Sequence, residues 1–395
     1  MNIKSSLSLA AAIGLLASCS SSYQTLHQKS ILVDTHNDVL SQVVMEGHSM
    51  EKDLTGIAHT DLARLRKGGV DVQVFAIFCD ETYGTGRAFR FANQQIDSLE
   101  AIVKRNPDKL QLVYTPAEAR QAVKNHKTAA LSGVEGGHMI EDNLDNLTHL
   151  YNRGVRYLTL TWNNSVAWAS SAADEKKGSG YHNKKGLNDF GKQVVKRMNE
   201  LGMLVDLSHV GEQTFWDVIN TTSKPVLVSH SCAATFSPHH RNLTDDQIKA
   251  VGKNGGVIHL NFFSEFLDSA YTNRMSAFMA KHDAEIKALR QKGLSGMALR
   301  DAIFQQYPNE SGTINPPLSL LIDHIDHIVK LAGIDHVGLG SDYDGISSTP
   351  VSLDDVSTYP VITKALLERG YKKKEIEKIL GGNFLRIWEA NAKKS

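Results

Sequence analysis

The sequence is poor in cysteine, in excess charge and in long apolar runs, and each shortage narrows what the chain can be. Three cysteines in 395 residues cannot build a dense disulfide framework. Lysine plus arginine and aspartate plus glutamate stand at 43 each, which argues against nucleic acid or an acidic surface as the main partner. The one long apolar run, Leu7 to Ala17, is too short to cross a bilayer. No Gly-rich phosphate loop follows the first strand-like segment, which speaks against a dinucleotide-binding sheet. No internal repeat, low-complexity tract or long linker interrupts the rest. The chain is long enough for one large core or two ordinary ones.

What is present begins with "MNIKSSLSLAAAIGLLASCSSS", where a lysine, the apolar run and small residues precede Cys19. That is the order of a secretory signal. Its closing tetrad, Leu16-Ala17-Ser18-Cys19, resembles the bacterial lipobox. The resemblance implies a signal peptide over 1–18, acylation of Cys19, a polar tether over 19–30 and a lipid-anchored protein of the bacterial cell envelope. Ser20 points to the outer membrane, with the protein facing the periplasm or the outside. An ordinary cleaved signal with a chance cysteine is the alternative. Cys79 and Cys232 read as packing thiols, with a disulfide as the lesser option.

Beyond the tether, apolar strand-like runs alternate with helical patterns. The strands fall at 31–36, 70–78, 128–135, 155–161, 203–209, 225–230, 256–263 and 336–342. All are short, rich in Val, Leu and Ile, and nearly continuous in apolar character, as parallel strands buried on both faces must be. The helices between them have readable ends. "HTDLARLRKGG" offers Thr60 as N-cap and a Gly68-Gly69 stop. Leu187, Phe190, Val194, Met198 and Leu201 form one stripe closed by Gly202, and Thr244 with Gln247 makes a capping box. Eight such strands predict a (β/α)8 TIM barrel of the amidohydrolase-like kind, one domain over 31–390. A charged, helix-rich insertion at about 264–315 is longer than a barrel loop needs. It reads as a lid, a dimer contact or a solvated surface hairpin.

In such a barrel the functional face lies at the C-terminal ends of the strands. His36 and Asp38 stand two apart there, so an extended backbone points both into the mouth. Glu135 ends "SGVE", His209 ends "VDLSH", His230 ends "LVSH" and Asp342 ends "GLGSD". Taken singly, each is weak. Asp34 and Asp344 read as turn or capping residues, and His138, His239 and His240 as ordinary hydrogen-bonded histidines. Together, three imidazoles and three carboxylates on one rim suit Zn²⁺, or Mn²⁺ or Co²⁺. His36, Asp38 and Glu135 would hold one ion, and His209 and His230 a second, with Glu135 bridging. Two ions about 3.5 to 4 Å apart would trap a hydroxide and lower its pKa toward roughly 7. Asp342 would take its proton and return it to the leaving amine, a role worth about 10² to 10⁴ in rate.

The stretches "VDTHNDVL", "GVEGGHMI", "VDLSHVG", "VSHSCAA", "HHRNLTDD" and "GLGSDYDG", in that order, resemble the membrane (renal) dipeptidase family of binuclear zinc peptidases. The resemblance runs from about Ile31 to Trp388. It implies a metallo-dipeptidase that accepts a D-residue at the C-terminal position and is often a homodimer. It assigns His36 and Asp38 to the first zinc, Glu135 to the bridge, His209 and His230 to the second zinc, and Asp342 to acid/base catalysis. It assigns Arg241 to the substrate carboxylate, for which a planar guanidinium fork is suited. By its neighbours alone, Arg241 would pair with Asp245 or Asp246 at the surface.

One departure stands out. Where the family commonly has a substrate-contacting His, "LTLTWNNS" has Trp162. Either Trp162 or Asn163 donates a reduced set of hydrogen bonds to substrate, or Trp162 is an apolar wall of the pocket. Two further readings therefore accompany the dipeptidase: a related barrel amidohydrolase acting on N-acyl amino acids or other amides, and a lipid-anchored peptide-binding protein.

Overall fold

The apolar runs fold into parallel strands. In the computed structural model, which describes residues 23–178 and 184–393, nine strands share one sheet. They are β1 (Val33–Asn37), β2 (Val72–Phe78), β3 (Leu110–Leu112), β4 (Thr128–Glu135), β5 (Val155–Thr159), β6 (Leu204–Asp206), β7 (Leu227–Val228), β8 (Val257–Leu260) and β9 (Val337–Leu339). Eight run in the order β1-β2-β4-β5-β6-β7-β8-β9. The ring closes where Asp38 N–H reaches Tyr343 O at 2.9 Å and Asp342 N–H reaches His36 O at 3.0 Å. This is the (β/α)8 barrel that the alternation of strands and helices predicts. β3 was not anticipated: three residues carry too little period to read. It fills the space beside the start of β4, before β5 joins at Ser132.

Several strands stop sooner than expected. β6, β7 and β9 end at Asp206, Val228 and Leu339, because at the mouth the chain leaves the ladder and turns. His209 and Asp342 sit at φ 64° and 62°, left-handed values that break pairing and that non-glycine residues adopt only when surrounding structure holds them there. Among the helices, the N-cap expected at Thr60 falls on Asp61, whose side chain accepts from Arg64 N–H. The Thr60 hydroxyl is already taken by Asn37 Nδ2 at 2.8 Å. Helix Asp189–Leu201 buries Val194, Met198 and Leu201 and ends at Gly202. The Thr244/Gln247 capping box forms.

The pole opposite the mouth is covered in part by the last helix, Asn383–Asn391. Its Phe384 and Trp388 pack with Leu204, Leu227 and Val257 at the starts of β6, β7 and β8. A helix over residues 23–29 docks beside β1, with Leu26 buried and His27 bonded to Gly68 O at 2.8 Å and Thr363 Oγ1 at 2.7 Å. Between β8 and Leu318 the chain makes five helices with a core of their own around Phe278, Ile286, Leu289 and Ile303. Cys79 and Cys232 are free and buried. The signal segment and Cys19 lie outside the described residues. No helix among the described residues is long and apolar enough to cross a membrane.

Candidate metal centre

Six rim residues from five separate strands converge. His36 Nε2 lies 3.4 Å from Asp38 Oδ2, 3.5 Å from Glu135 Oε2 and 3.9 Å from Asp342 Oδ1. The other oxygen of Glu135, Oε1, lies 2.8 Å from His209 Nε2 and 3.3 Å from His230 Nε2. Glu135 therefore presents one oxygen to each half of the cluster. Two overlapping donor groups result, His36 with Glu135 and His230, and His36 with Asp38 and Asp342, each with its donor atoms within 4.8 Å of one another. A side chain at Gly345 would stand 2.3 Å from Asp38 Oδ2 and 2.5 Å from Asp342 Oδ1. Glycine there lets the loop after β9 close over the carboxylates.

Each imidazole is oriented from behind. The Tyr157 hydroxyl gives its proton to Thr35 O at 3.1 Å and accepts from His36 Nδ1 at 2.8 Å. A Cβ at Gly133 would fall 2.1 Å from the Tyr157 ring, so Gly133 makes room for the tyrosine to cross beneath His36. Ser229 Oγ donates to Asp206 Oδ2 at 2.6 Å and accepts from His230 Nδ1 at 2.7 Å. The Asn163 carboxamide oxygen accepts from His209 Nδ1 at 3.1 Å. In all three rings the proton is held on Nδ1, leaving the Nε2 lone pair aimed at the centre, as metal-ligating histidines require.

The electrostatics fit cations. His36 Nε2 and His230 Nε2 are buried without a hydrogen-bond partner, a costly state for protein alone. Burial would lower the His36 pKa, yet the charges of Tyr157, Glu135 and Asp38 push it well above the usual value. Burial raises Glu135, and His36, His209 and His230 more than reverse this, holding it well below the carboxylate range. Asp342 goes the other way. Burial first, then the charges of Asp38 and Glu135, drive it well above the ordinary value against His36 and Asn261. Burial, joined by Arg241, brings His209 down to about 4. Carboxylates crowded about bare imidazole nitrogens are what divalent ions stabilise. The donor set, a mixture of N and O with no thiolate, suits zinc and also manganese or cobalt.

The cluster opens into a cavity of about 600 Å³ that Trp162, Asn163, His239, His240, Arg241 and Phe266 also line. Arg241 is 5% exposed. Its Nη1 and Nη2 reach only Ser231 Oγ at 3.3 Å and His230 O at 3.2 Å, and Nε has no partner. The surface pair with Asp245 or Asp246 does not form, since Asp245 bonds Thr235 and His327 and Asp246 bonds Lys249. Arg241 is thus a buried cation with no ion pair among the described residues. Trp162 is half-buried against Phe78, with ring centres 4.9 Å apart.

The remaining rim residues divide. Asp34 accepts from Ser341 N–H and Oγ at 2.9 and 2.8 Å and ties β1 to β9 below the metal donors. Asp344 accepts from His59 N–H at 2.6 Å, and His138 bonds Cys79 O at 2.8 Å. His239 and His240 do more than the sequence reading gave them. Both stand on the cavity wall, where burial, the His240 imidazole and the Arg241 and Lys176 charges lower His239 to about 3, and burial with the Lys176, Arg241 and Lys177 charges lowers His240 to about 4. Tyr157, Asp206, Ser229 and Asn261 were not anticipated. Each sits in or beside an ordinary strand, with no sequence signal to mark it.

A parallel barrel with imidazole and carboxylate donors on its C-terminal rim has the architecture of a metal-dependent hydrolase. The chain belongs to the membrane dipeptidase family (peptidase family M19), whose model matches residues 21–395. It is 33% identical over 377 residues to an uncharacterized dipeptidase of Schizosaccharomyces pombe, covering 91% of this chain and 80% of that protein. Among solved structures it is similar to the probable dipeptidase PvdM from Pseudomonas aeruginosa, with TM-score 0.77, 25% identity and 95% and 98% of the two chains covered. It shares its fold with a metallo peptidase from Rhodobacter sphaeroides liganded with a phosphinate mimic of L-Ala-D-Ala, with TM-score 0.72, 23% identity and 92% and 100% covered.

Proposed function

We propose that the chain hydrolyses dipeptides, L-D as well as L-L, with two zinc ions held by His36, Asp38, Glu135, His209 and His230. The observation that carries this reading is the pairing of two features in one cavity: Glu135 turned to both halves of the donor cluster, and Arg241 buried with no ion pair. A dipeptide brings its own carboxylate to that guanidinium. Longer peptides, whose carboxylate lies too far from the scissile bond, would leave it unpaired, and this selects substrate length. The ions, when bound, supply Lewis acidity and a water ionised near neutral pH. Asp342, protonation-prone through burial and like charge, carries the proton from nucleophile to leaving amine. Tyr157, Ser229 and Asn163 hold the three imidazoles in the tautomer that leaves Nε2 bare. Trp162 and Phe78 present an apolar wall to a substrate side chain, and Asn163 stands beside them. The Rhodobacter sphaeroides neighbour's phosphinate mimic of L-Ala-D-Ala supports a D-residue at the C-terminal position.

The same proposal holds the chain to the envelope of a bacterium, at the outer membrane, through acylated Cys19, and pairs it as a homodimer. Trp162, in place of the family's common His, favours one second reading, an amidohydrolase of N-acyl amino acids. Elemental analysis of the purified protein, with a panel of L-L dipeptides, L-D dipeptides and N-acyl amino acids, decides between them. Two metals per chain and turnover confined to dipeptides are expected. Preferred cleavage of the N-acyl compounds would overturn the dipeptidase reading in favour of the second. Tight dipeptide binding without turnover by metal-loaded protein would leave only a binding protein.

A further inference from the structure

The pole of the barrel opposite the mouth carries a concavity of about 560 Å³. Its floor is made by the residues that lead into β1, β2, β3 and β4, among them Ile31, Val70, Leu110 and Thr128. Around it stand Lys29, Arg66, Lys109, His126 and Lys127, and Asp71 is the single carboxylate in the lining. Lys29, Arg66, Lys109 and His126 are exposed, and Lys127 is half-buried. None of the five has a partner in an ion pair among the described residues. Asp71 is turned inward, its Oδ2 accepting Leu32 N–H at 2.9 Å. In a chain whose acidic and basic residues balance, these side chains concentrate positive charge on one concave face.

The path of the chain gives that face a second property. The helix over residues 23–29 is clamped to this same pole by Leu26 and His27, and Lys29, Ser30 and Ile31 run from it along the cavity wall into β1. Four Cα–Cα steps, through Ser20, Ser21 and Ser22, lead from Cys19 to Tyr23, a reach of at most about 14 Å. The helical residues 23–29 add about 10 Å. A lipid on Cys19 therefore holds this pole, and not the mouth, within about 25 Å of the bilayer surface.

We propose that this pole docks on anionic phospholipid headgroups through Lys29, Arg66, Lys109 and Lys127, so that the catalytic mouth faces away from the membrane. The inference rests on the anchored reading for the pole's nearness to lipid, and it is independent of the dipeptidase reading. Clustered lysine and arginine within a Debye length of an anionic surface each add to attraction, and salt weakens it. Headgroup phosphates would enter the concavity, where unpaired cations meet them without first breaking internal ion pairs.

A chain beginning at Ser20 keeps every described residue and has no acyl chain, so vesicle binding by it reads the face alone. It should sediment with phosphatidylethanolamine/phosphatidylglycerol vesicles at low salt, leave them at high salt, and ignore phosphatidylcholine vesicles. The triple variant Lys29→Glu, Lys109→Glu, Lys127→Glu should bind the anionic vesicles at least about tenfold less, with melting temperature and dipeptide turnover in solution unchanged. Equal binding by variant and wild type, or no retention on anionic vesicles, would overturn the proposal. Saturable binding of inorganic phosphate by calorimetry without vesicle retention would also overturn it, in favour of a small-anion site. If Cys19 proves not to be acylated while the Ser20 chain still binds anionic vesicles, the docking face stands on its own.

Discussion

Asn261 Nδ2 donates to Asp342 Oδ2 at 2.8 Å, while Asn261 Oδ1 accepts from Phe263 N–H at 2.7 Å. The backbone donor sets which way the carboxamide points, so toward Asp342 it can only donate. One carboxylate oxygen is thereby tied down, and the other, Oδ1, is left facing His36 and the centre.

The proposed reading gives Asp342 the proton and assigns the metals to the other five residues, although its Oδ1 shares a donor group with His36 and Asp38. Asp342→Asn should retain its metal while dipeptide turnover falls at least about 10²-fold. Elemental analysis beside steady-state kinetics checks both halves, and undiminished turnover would remove Asp342 from the mechanism.

Arg241 should act on substrates in proportion to their carboxylate. Arg241→Ala should lower kcat/KM for dipeptides by about 10- to 10²-fold, the size of a lost charged hydrogen bond. Dipeptide amides, which lack the carboxylate, should react equally slowly with both proteins. A uniform loss across both substrate sets would show that Arg241 supports the fold of the site and not recognition.

Tyr157→Phe keeps the ring that fills the space over Gly133 and deletes the hydroxyl behind His36. Metal affinity should fall about 10- to 10²-fold, as for other groups that orient a metal-ligating histidine. Competition with a chromogenic chelator reads this directly. Stripping the metal from wild type should lower its melting temperature, since bound ions stabilise the folded state by mass action and their removal leaves the carboxylate cluster uncompensated.

Asp71 offers a test of stability against pH. Burial pushes its carboxyl from 3.8 up to about 6 despite the Leu32 N–H bond. The folded chain therefore holds this proton more tightly than the unfolded chain, and the stabilisation, present in full below about pH 4, is lost as pH rises through about 6. Asp71→Asn keeps an acceptor for Leu32 without the charge. Relative to wild type it should gain up to about 3 kcal/mol of stability above pH 6 and nothing at pH 3. A wild-type-minus-variant difference that stays flat across this window in denaturant titrations would contradict the assignment.

Much of this was readable from residue order. The eight barrel strands and the polar residues that end them could be named because a strand buried on both faces must be apolar until it reaches the mouth. β3, with three residues, was invisible, and the cap at Asp61 was misplaced by one because Thr60 answers to Asn37, a residue 23 positions earlier. By its neighbours alone Arg241 read as a surface ion pair, and only the family resemblance set it at the substrate carboxylate. Only its burial, and the engagement of Asp245 and Asp246 elsewhere, separated the two readings. Of the residues behind the metal donors, Asn163 was named only as a substrate contact, whereas its oxygen faces His209 Nδ1. Tyr157 and Ser229 escaped entirely, since a tyrosine or serine in or beside a strand has no pattern that distinguishes a support from a core filler.

The sequence by itself determined the barrel and the chemical identity of its rim, because period, apolar continuity and side-chain type are local properties. Tertiary structure alone decided that Glu135 faces two ways, that Tyr157 stands behind His36, and that a basic hollow lies at the far pole. Each of these depends on side chains far apart in sequence being brought within a few ångströms, and only closure of the ring supplies that nearness.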